Sequence, residues 1–220
     1  MSIFSVIVLK VYHNGLTPFS IAIPTIICYD SAMNITSAVF MKGVMGDDAI
    51  LDDGTPQIAF IGRSNAGKSS LINSLTGKSK LAITSSTPGR TKEINVFKIN
   101  NSHYFIDLPG YGYAKTGGKA LEKLNKLIVW YLLESQHRPK VVLLIDAEVG
   151  PTANDLETLR ELERTGKDIV VVANKVDKIK KSQYLNQMKK LSEQLNGHKL
   201  FPYSSTTKIG IEELRTELLT

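Results

Sequence analysis

Residues 60–72 read FIGRSNAGKSSLI and contain the pattern G-x-x-x-x-G-K-[ST], from Gly62 to Ser69. An apolar run precedes the pattern and a helical pattern follows it, which is the context that a phosphate-binding loop requires. The glycines let backbone N–H groups surround phosphate oxygens, and the N-terminus of the helix adds positive potential. The residues expected to contact phosphates are Gly62, Arg63, Ser64, Asn65, Ala66, Gly67, Lys68, Ser69 and Ser70.

Lys68 and Ser69 are expected to carry the charge and metal chemistry of this loop. A lysine here reaches the β- and γ-phosphates, and the hydroxyl residue ligates Mg²⁺. A second motif, D-x-x-G, is present at Asp107-Leu108-Pro109-Gly110, directly after an apolar run. Its aspartate would hold the Mg²⁺ through water, and the Gly110 N–H would meet the γ-phosphate. The two motifs together predict a nucleoside triphosphate site with Mg²⁺ as a cofactor.

Apolar runs alternate with helical patterns from residue 57 onward, which predicts an α/β fold. The expected strands are 57–61, 95–99, 103–107, 141–146, 169–173 and 200–204. The expected helices are 69–76, 119–134, 152–163, 182–195 and 211–219. Residues 95–107 form a predicted hairpin with its turn at Asn100-Asn101, so one strand should run antiparallel to the rest. We therefore predict three layers, with a mostly parallel six-stranded sheet, one antiparallel strand and helices on both faces.

Base specificity is predicted by Asn174-Lys175-Val176-Asp177, which follows the apolar run 169–173. The Asp177 carboxylate could accept hydrogen bonds from N1–H and the exocyclic amine of guanine, whereas adenine offers neither in that arrangement. Lys175 would lie along the base plane, and Asn174 would connect neighbouring loops. In Ser204-Ser205-Thr206, after the last strand, the Ser205 N–H would donate to guanine O6. GTP and GDP are therefore the expected ligands.

The segment 76–91 lacks periodicity and is rich in Ser, Thr, Lys and Gly, which favours a functional loop over a plain connector. Gly89, Arg90 and Thr91 are expected at the nucleotide. The Thr91 hydroxyl would bind Mg²⁺ directly, as Ser69 would, so that loss of the γ-phosphate would release the loop. Thr87 is the alternative ligand in this segment.

The chain has 220 residues, a net charge of +6 and a sequence pI near 9.2, which is compatible with an anionic partner such as nucleic acid. Its length fits one domain, 33–220, with an atypical extension, 1–32. The extension lacks the features of a secretory signal, an organelle presequence or a membrane span. It could form a strand or a disordered arm, or it could result from an upstream start codon. The single cysteine, Cys28, fits a reducing, cytoplasmic location.

The sequences GRSNAGKSSLIN, STPGRT, DLPGYGYA and NKVDK, in this order, resemble those of the EngB (YihA/YsxC-type) GTP-binding proteins. These belong to the TrmE-Era-EngA-EngB-Septin-like P-loop GTPases, with a Ras-like fold. The resemblance runs from about Met33 to the C-terminus. It implies a monomeric GTP-hydrolysing switch that acts on the large ribosomal subunit or its precursor, with rRNA and ribosomal proteins as partners and no membrane. It also implies a role in cell division and septation.

Two features depart from the pattern of this family. The base motif begins with Asn174, where the family commonly has threonine, although asparagine suits GTPases generally. Residues 1–32 precede the point at which family members usually begin.

The sequence also bears on hydrolysis. Many GTPases place a glutamine directly after D-x-x-G to orient the attacking water, and this chain has Tyr111 there. We therefore expect a low intrinsic rate, with Asn65 and Thr91 as the candidate catalytic residues. In cation-dependent relatives an asparagine at the position of Asn65 helps to hold K⁺; the alternative is that Asn65 only shapes the loop. Arg63 and Arg90 are candidate internal arginine fingers.

Two other functions stay open on the sequence. One is a GTP/GDP-dependent binding module with negligible hydrolysis, and the other is another small GTPase acting on RNA. If rRNA is the partner, basic side chains would meet its phosphates and binding would weaken with salt. The candidates for these contacts are Lys178, Lys180, Lys181, Lys189 and Lys190.

Overall fold

Strands and helices alternate along the computed structural model, which describes residues 34–83, 93–112 and 119–220. The strands are β1 (Ala38–Val44), β2 (Gln57–Gly62), β3 (Ile94–Ile99), β4 (His103–Asp107), β5 (Lys140–Asp146), β6 (Asp168–Asn174) and β7 (Leu200–Pro202). The helices are α1 (Lys68–Thr76), α2 (Lys119–Val129), α3 (Ala153–Arg164), α4 (Tyr184–Gln194) and α5 (Ile211–Leu219). The extension 1–32 lies outside the described residues.

The strands form one sheet in the order β1-β3-β4-β2-β5-β6-β7. Strand β3 is antiparallel to both of its neighbours, β1 and β4, whereas the remaining pairs are parallel. The predicted α/β fold, with a mostly parallel sheet and one antiparallel strand, is confirmed. The sheet has a seventh strand where six were predicted, because β1 adds to the edge beside β3.

Strand β1 has no alternating pattern that would predict it. Its consecutive residues Val39, Phe40 and Met41 are apolar and all at least 47% exposed, as is feasible in the middle of an edge strand of which only the two ends, Ala38 and Val44, are buried. Its register shifts between Phe40 and Lys42, which interrupts the two-residue period further. Without one buried face, the sequence carries no strong signal for the pairing.

Strand β2 shows how the sheet supplies two cores. Ala59 and Ile61 pack in a cluster with residues of α2, α3 and α4, whereas Ile58 and Phe60 pack in a second cluster with residues of α1 and α5. Successive side chains of a strand point to opposite faces of the sheet. The helices therefore cover both faces, which gives the three predicted layers.

Element ends differ modestly from the predicted ones. The predicted helix 119–134 is α2 followed by a π-helical turn, Trp130–Glu134. Helix α4 begins at Tyr184, after a short 3₁₀ turn. Strand β7 ends at Pro202 rather than at 204, because the Ser204 N–H donates to the carbonyl of Ile209 within the following loop.

The parallel strands place their carboxyl ends at one edge of the sheet, where ligands of open α/β sheets bind. Gly62, Asp107, Asp146 and Asn174 are the last residues of β2, β4, β5 and β6. Motifs far apart in sequence therefore meet at this edge. None of the described helices combines the length and apolar character needed to cross a membrane.

Candidate functional site

The phosphate loop begins at Gly62 and ends at Gly67, directly before α1. Gly67 has a φ of 101°, in the left-handed region, and a Cβ there would collide with the side-chain amide of Asn174. A Cβ on Gly62 would lie 2.8 Å from the backbone oxygen of Leu144. Both positions therefore require glycine, one for conformation and close approach and the other for close approach alone.

The D-x-x-G segment is joined to this loop through Tyr111. The Ser64 N–H donates to the Tyr111 carbonyl at 3.1 Å, and the Tyr111 N–H donates to the Gly62 carbonyl at 3.3 Å. In the same segment Leu108 and Pro109 are buried, and the Leu108 N–H donates to the Phe60 carbonyl. The first two motifs thus form one bonded unit.

Lys68 and Asp107 meet beneath the phosphate loop. Their Nζ and Oδ1 atoms are 3.7 Å apart, an ion pair that is too long for a direct hydrogen bond. Burial raises the pKa of Asp107 above its usual range, and the Lys68 ammonium opposes that rise. Within the described chain the buried Oδ1 has no hydrogen-bond donor. A buried carboxylate oxygen without a donor can accept a hydrogen bond from water bound to Mg²⁺, so these residues fit that ion, with the Ser69 hydroxyl in the first turn of α1.

Asn174, the last residue of β6, connects the base loop, which is the segment 174–177, to the phosphate loop. Its Nδ2 donates to the Ala66 carbonyl at 2.8 Å, and its Oδ1 accepts from the Lys175 N–H at 2.8 Å. The side chain is nearly fully buried, so both bonds are protected from water. The expectation that Asn174 ties neighbouring loops is confirmed by these contacts.

Ser204 fixes the carboxylate of Asp177. Its hydroxyl donates to Asp177 Oδ1 at 2.6 Å and accepts from the N–H groups of Thr206 and Thr207 at 3.2 and 3.1 Å. Ser204 is fully buried whereas Asp177 is exposed. The buried Ser204 hydroxyl therefore orients the carboxylate, and the exposed side of the carboxylate can accept hydrogen bonds from a base. The sequence places Ser204 at the site, but it gives no indication of this contact.

Lys175 reaches back across the site to two oxygen atoms. Its Nζ donates to the Asn65 carbonyl at 2.9 Å and to Asp146 Oδ2 at 2.7 Å. Asp146 is absent from the residues expected at the site. The signal that could have found it is the one that indicates Asp107, an acidic residue that ends an apolar strand at the carboxyl edge.

Tyr111, which takes the place of the usual glutamine, lies inside the protein. Its hydroxyl donates to Asp155 Oδ1 at 2.6 Å, and Asp155 Oδ2 accepts from the N–H and hydroxyl of Thr152 at the start of α3. Burial and the neighbouring Asp155 raise the pKa of Tyr111, so the phenol stays protonated. The hydroxyl is thereby held by a residue of α3.

Several expected site residues cannot be placed. Gly89, Arg90, Thr91 and the alternative Thr87 lie outside the described residues.

Other expected residues are described. Asn65 is exposed and has a φ of 67°, and Arg63 is half-buried beside Tyr111. The lysines expected to meet rRNA lie after β6 and on α4, and all of them are exposed. Within the described chain none of them forms an ion pair. They are Lys178, Lys180, Lys181, Lys189 and Lys190.

Two family models match the region of the chain that contains the site. The one described as a 50S ribosome-binding GTPase matches residues 57–175, more than half of the chain. The one described as the elongation factor Tu GTP binding domain matches residues 139–220.

Curated relatives match over most of their length. The probable GTP-binding protein EngB of Clostridium botulinum (strain Eklund 17B) is 45% identical over 189 residues, covering 84% of this chain and 96% of the relative. The protein of the same name from Clostridium acetobutylicum is 44% identical over 165 residues, covering 74% of this chain and 82% of the relative.

Solved structures show the same fold. A probable GTP-binding protein EngB aligns with a TM-score of 0.60 and 27% identity, covering 74% of this chain and 97% of that one. Aquifex aeolicus Era bound to GDP and AlF₄⁻ aligns with a TM-score of 0.63 and 26% identity, covering 75% of this chain and 56% of that one. A structure of Era with MgGDPNP and a segment of 16S ribosomal RNA aligns with a TM-score of 0.61 and 26% identity, covering 75% of this chain and 56% of that one.

Proposed function

Because this chain belongs to the EngB family of GTP-binding proteins, we propose that it is a switch for assembly of the large ribosomal subunit. The chain is a GTPase that converts GTP to GDP and phosphate. The proposed partner is the large subunit or its precursor, in agreement with the description of the matching family as ribosome-binding. A role in cell division and septation would follow from that of subunit assembly.

The observation that best supports the proposed nucleotide site is the hydrogen bond from Asn174 to the Ala66 carbonyl, which joins residues 108 positions apart in the sequence. The base and the phosphates belong to one ligand, so the loops that read them must be held at a fixed distance. A direct hydrogen bond between buried groups achieves this, because breaking it leaves the carbonyl without a partner.

The phosphates are assigned to residues 62–70, which are the phosphate loop and the first turn of α1, with Lys68 neutralising the β- and γ-phosphates. Mg²⁺ is assigned to the Ser69 and Thr91 hydroxyls, with Asp107 bonding to its water. When bound, the ion neutralises charge on the transferring phosphate. Support for this set comes from the buried Asp107 oxygen that lacks a donor in the described chain.

The guanine base is assigned to Asp177 and to the Ser205 N–H. Two carboxylate oxygens accept the N1–H and exocyclic amine, so an adenine would leave the carboxylate unpaired. When the wrong substrate leaves a polar group of the site unpaired, the site rejects that substrate strongly. The Ser204 hydroxyl supports the assignment, because it holds Asp177 in one orientation.

Intrinsic hydrolysis is proposed to be slow. The Tyr111 hydroxyl donates to Asp155, so in this arrangement it is not free to orient a water molecule at the γ-phosphate. Acceleration would then come from the ribosomal partner or from K⁺ held beside the phosphates by Asn65. A cation there would stabilise negative charge that develops in the transition state. The left-handed φ of Asn65 also gives a conformational reason for asparagine, so the two roles need an experiment that separates them.

The proposal is tested by cosedimentation of the protein with large and small ribosomal subunits in GTP and in GDP. We expect GTP-dependent binding to the large subunit that weakens steeply with salt, because the exposed lysines would neutralise rRNA phosphates. Asp177→Asn should lose binding in GTP and regain it in XTP, since the substituted amide matches xanthine. Equal binding in GTP and GDP, or no binding to large subunits, would overturn the proposed switch.

A second candidate is a small GTPase acting on RNA of the small subunit. The observation in its favour is the structural likeness to Era, whose structure with 16S ribosomal RNA aligns at 26% identity. GTP-dependent binding to small subunits alone in the same experiment would favour it. A third candidate is that this GTPase acts in the cell chiefly as a GTP/GDP-dependent binding module whose hydrolysis stays negligible, which the bond between Tyr111 and Asp155 favours. Single-turnover hydrolysis with and without subunits distinguishes it, because only a module would remain slow in both.

A further inference from the structure

We infer that Asp146, at the carboxyl end of β5, is a positioning residue that holds Lys175 and, through it, the phosphate loop in the form that binds nucleotide. The inference rests on the proposed nucleotide site and adds a residue to it. Among the described residues the Asp146 carboxylate bonds to Lys175 and to the N–H groups of Glu148 and Val149, and to no atom of the phosphate loop or of Asp177, so we expect its effect to pass through the lysine.

The geometry links three loops at the carboxyl edge of the sheet. Lys175, after β6, donates from one ammonium group to Asp146 Oδ2 at 2.7 Å and to the Asn65 carbonyl at 2.9 Å. Asn65 belongs to the loop after β2, and Asp146 ends β5 between these two strands. One lysine therefore bridges the base loop and the phosphate loop, with the carboxylate as its fixed anchor.

Asp146 is itself held rigidly. Its Oδ1 accepts from the N–H groups of Glu148 and Val149 at 3.1 and 3.4 Å. Its side chain is only 9% exposed, and that of Lys175 is 25% exposed. Burial acts to raise the pKa of Asp146, but the bond to Lys175 and the two N–H groups outweigh it and lower the pKa below its usual value. The carboxylate is therefore ionised at neutral pH and oriented from both sides.

The anchor matters because lysine is a flexible ligand. An ammonium group on a four-carbon chain loses rotamer freedom when it holds one position, and the fixed carboxylate compensates for that loss. Without it Lys175 would sample other rotamers, and the Asn65 carbonyl would lose its donor. The phosphate loop would then spend part of its time outside the binding-competent form, and the apparent affinity would fall by that fraction.

The test is a double-mutant cycle on nucleotide affinity, with the dissociation constants of fluorescent GDP and GTP analogues as the readout. Asp146→Asn keeps an oxygen for the N–H groups but removes the charge that holds Lys175. We expect it to weaken GDP and GTP binding by a similar factor, about tenfold to a hundredfold, as for loss of a hydrogen bond to a charged group. In a Lys175→Met background the same substitution should have little further effect.

The matched control is Asp168→Asn. Asp168 is the first residue of the neighbouring strand β6, so it lies at the amino ends of the parallel strands, away from the site. Its Oδ2 is 3.9 Å from Lys140 Nζ, with which it forms an ion pair. This control should leave both affinities unchanged. Asp146→Glu should restore part of the affinity, since it returns the charge.

A second readout is independent of how weakly the Lys175→Met variant binds. In amide NMR spectra, Asp146→Asn should shift the Ala66 signal, because its N–H shares a peptide group with the Asn65 carbonyl, and Asp168→Asn should not. Wild-type affinity in Asp146→Asn, an equal loss in both backgrounds, or an unmoved Ala66 signal would each overturn the inference. Failure of the proposed site would appear differently, as wild-type protein that does not prefer guanine nucleotides.

Discussion

Replacing Asn174 by alanine is expected to weaken both the fold and nucleotide binding. The substitution removes two hydrogen bonds of 2.8 Å, one to the Ala66 carbonyl and one from the Lys175 N–H. Ala66 is almost fully buried, so its carbonyl would lose its donor without access to water. An unsatisfied buried polar group costs about 1–3 kcal/mol, and a second lost hydrogen bond adds about 1 kcal/mol. We therefore expect the free energy of unfolding to fall by about 2–4 kcal/mol.

The assay is urea unfolding of the nucleotide-free protein together with GDP affinity. Asn73→Ala is the matched control, because Asn73 also bonds to a backbone N–H and carbonyl, both of Ala82, but at the far end of α1. Both variants should lose stability, whereas only Asn174→Ala should also lose GDP affinity, by at least about tenfold, or 1.4 kcal/mol. Equal affinity in the two variants would refute the reasoning that Asn174 couples the loops. A loss of stability below about 0.5 kcal/mol would refute the account of its hydrogen bonds.

Three further results are expected. Asn65→Gly keeps a residue that tolerates a φ of 67° but removes the amide, so activation of GTP hydrolysis by K⁺ over Na⁺ should vanish if the amide binds K⁺ and persist if asparagine only shapes the loop. Tyr111→Phe should lower the free energy of unfolding by about 1–3 kcal/mol, because Asp155 loses a buried donor, and leave the intrinsic single-turnover rate within about twofold; a large drop in rate would place the hydroxyl in the reaction. The stability difference between wild type and Asp146→Asn should be full at neutral pH and should shrink as the pH falls below roughly 4, because a carboxyl whose folded pKa is lowered loses its contribution as it is protonated; a difference that stays the same from neutral pH down through this acid range, in urea unfolding or thermal melts, would contradict the role of its charge.

The fold could be predicted from sequence where burial imposes a period. The strands β5 and β6 are buried on both faces and appear as continuous apolar runs, and α5 matches the predicted bounds, 211–219. Strand β1 could not be predicted in this way, because consecutive apolar residues at an exposed edge show no alternation. Its pairing with β3 depends on tertiary contacts rather than on local pattern.

The site could be predicted where a motif fixes both the residues and their spacing. The phosphate loop, D-x-x-G and N-K-x-D motifs all lie at the carboxyl edge of the sheet, and the role of Asn174 as a connection between loops follows from its motif. The side-chain contacts that fix these motifs in position could not be predicted from the sequence. Ser204 to Asp177 and Tyr111 to Asp155 join residues 27 and 44 positions apart, and no local pattern specifies such pairs.

Base choice by Asp177 is the central claim, and the affinity of the protein for GDP and XDP tests it most directly. Wild type should bind GDP more tightly than XDP, and Asp177→Asn should reverse this order while the thermal unfolding midpoint stays close to that of wild type. The reason is that the carboxylate accepts from the guanine N1–H and amine, whereas an amide can donate to the xanthine O2. An Asp177→Asn variant that still binds GDP with wild-type affinity and prefers it to XDP would contradict the account.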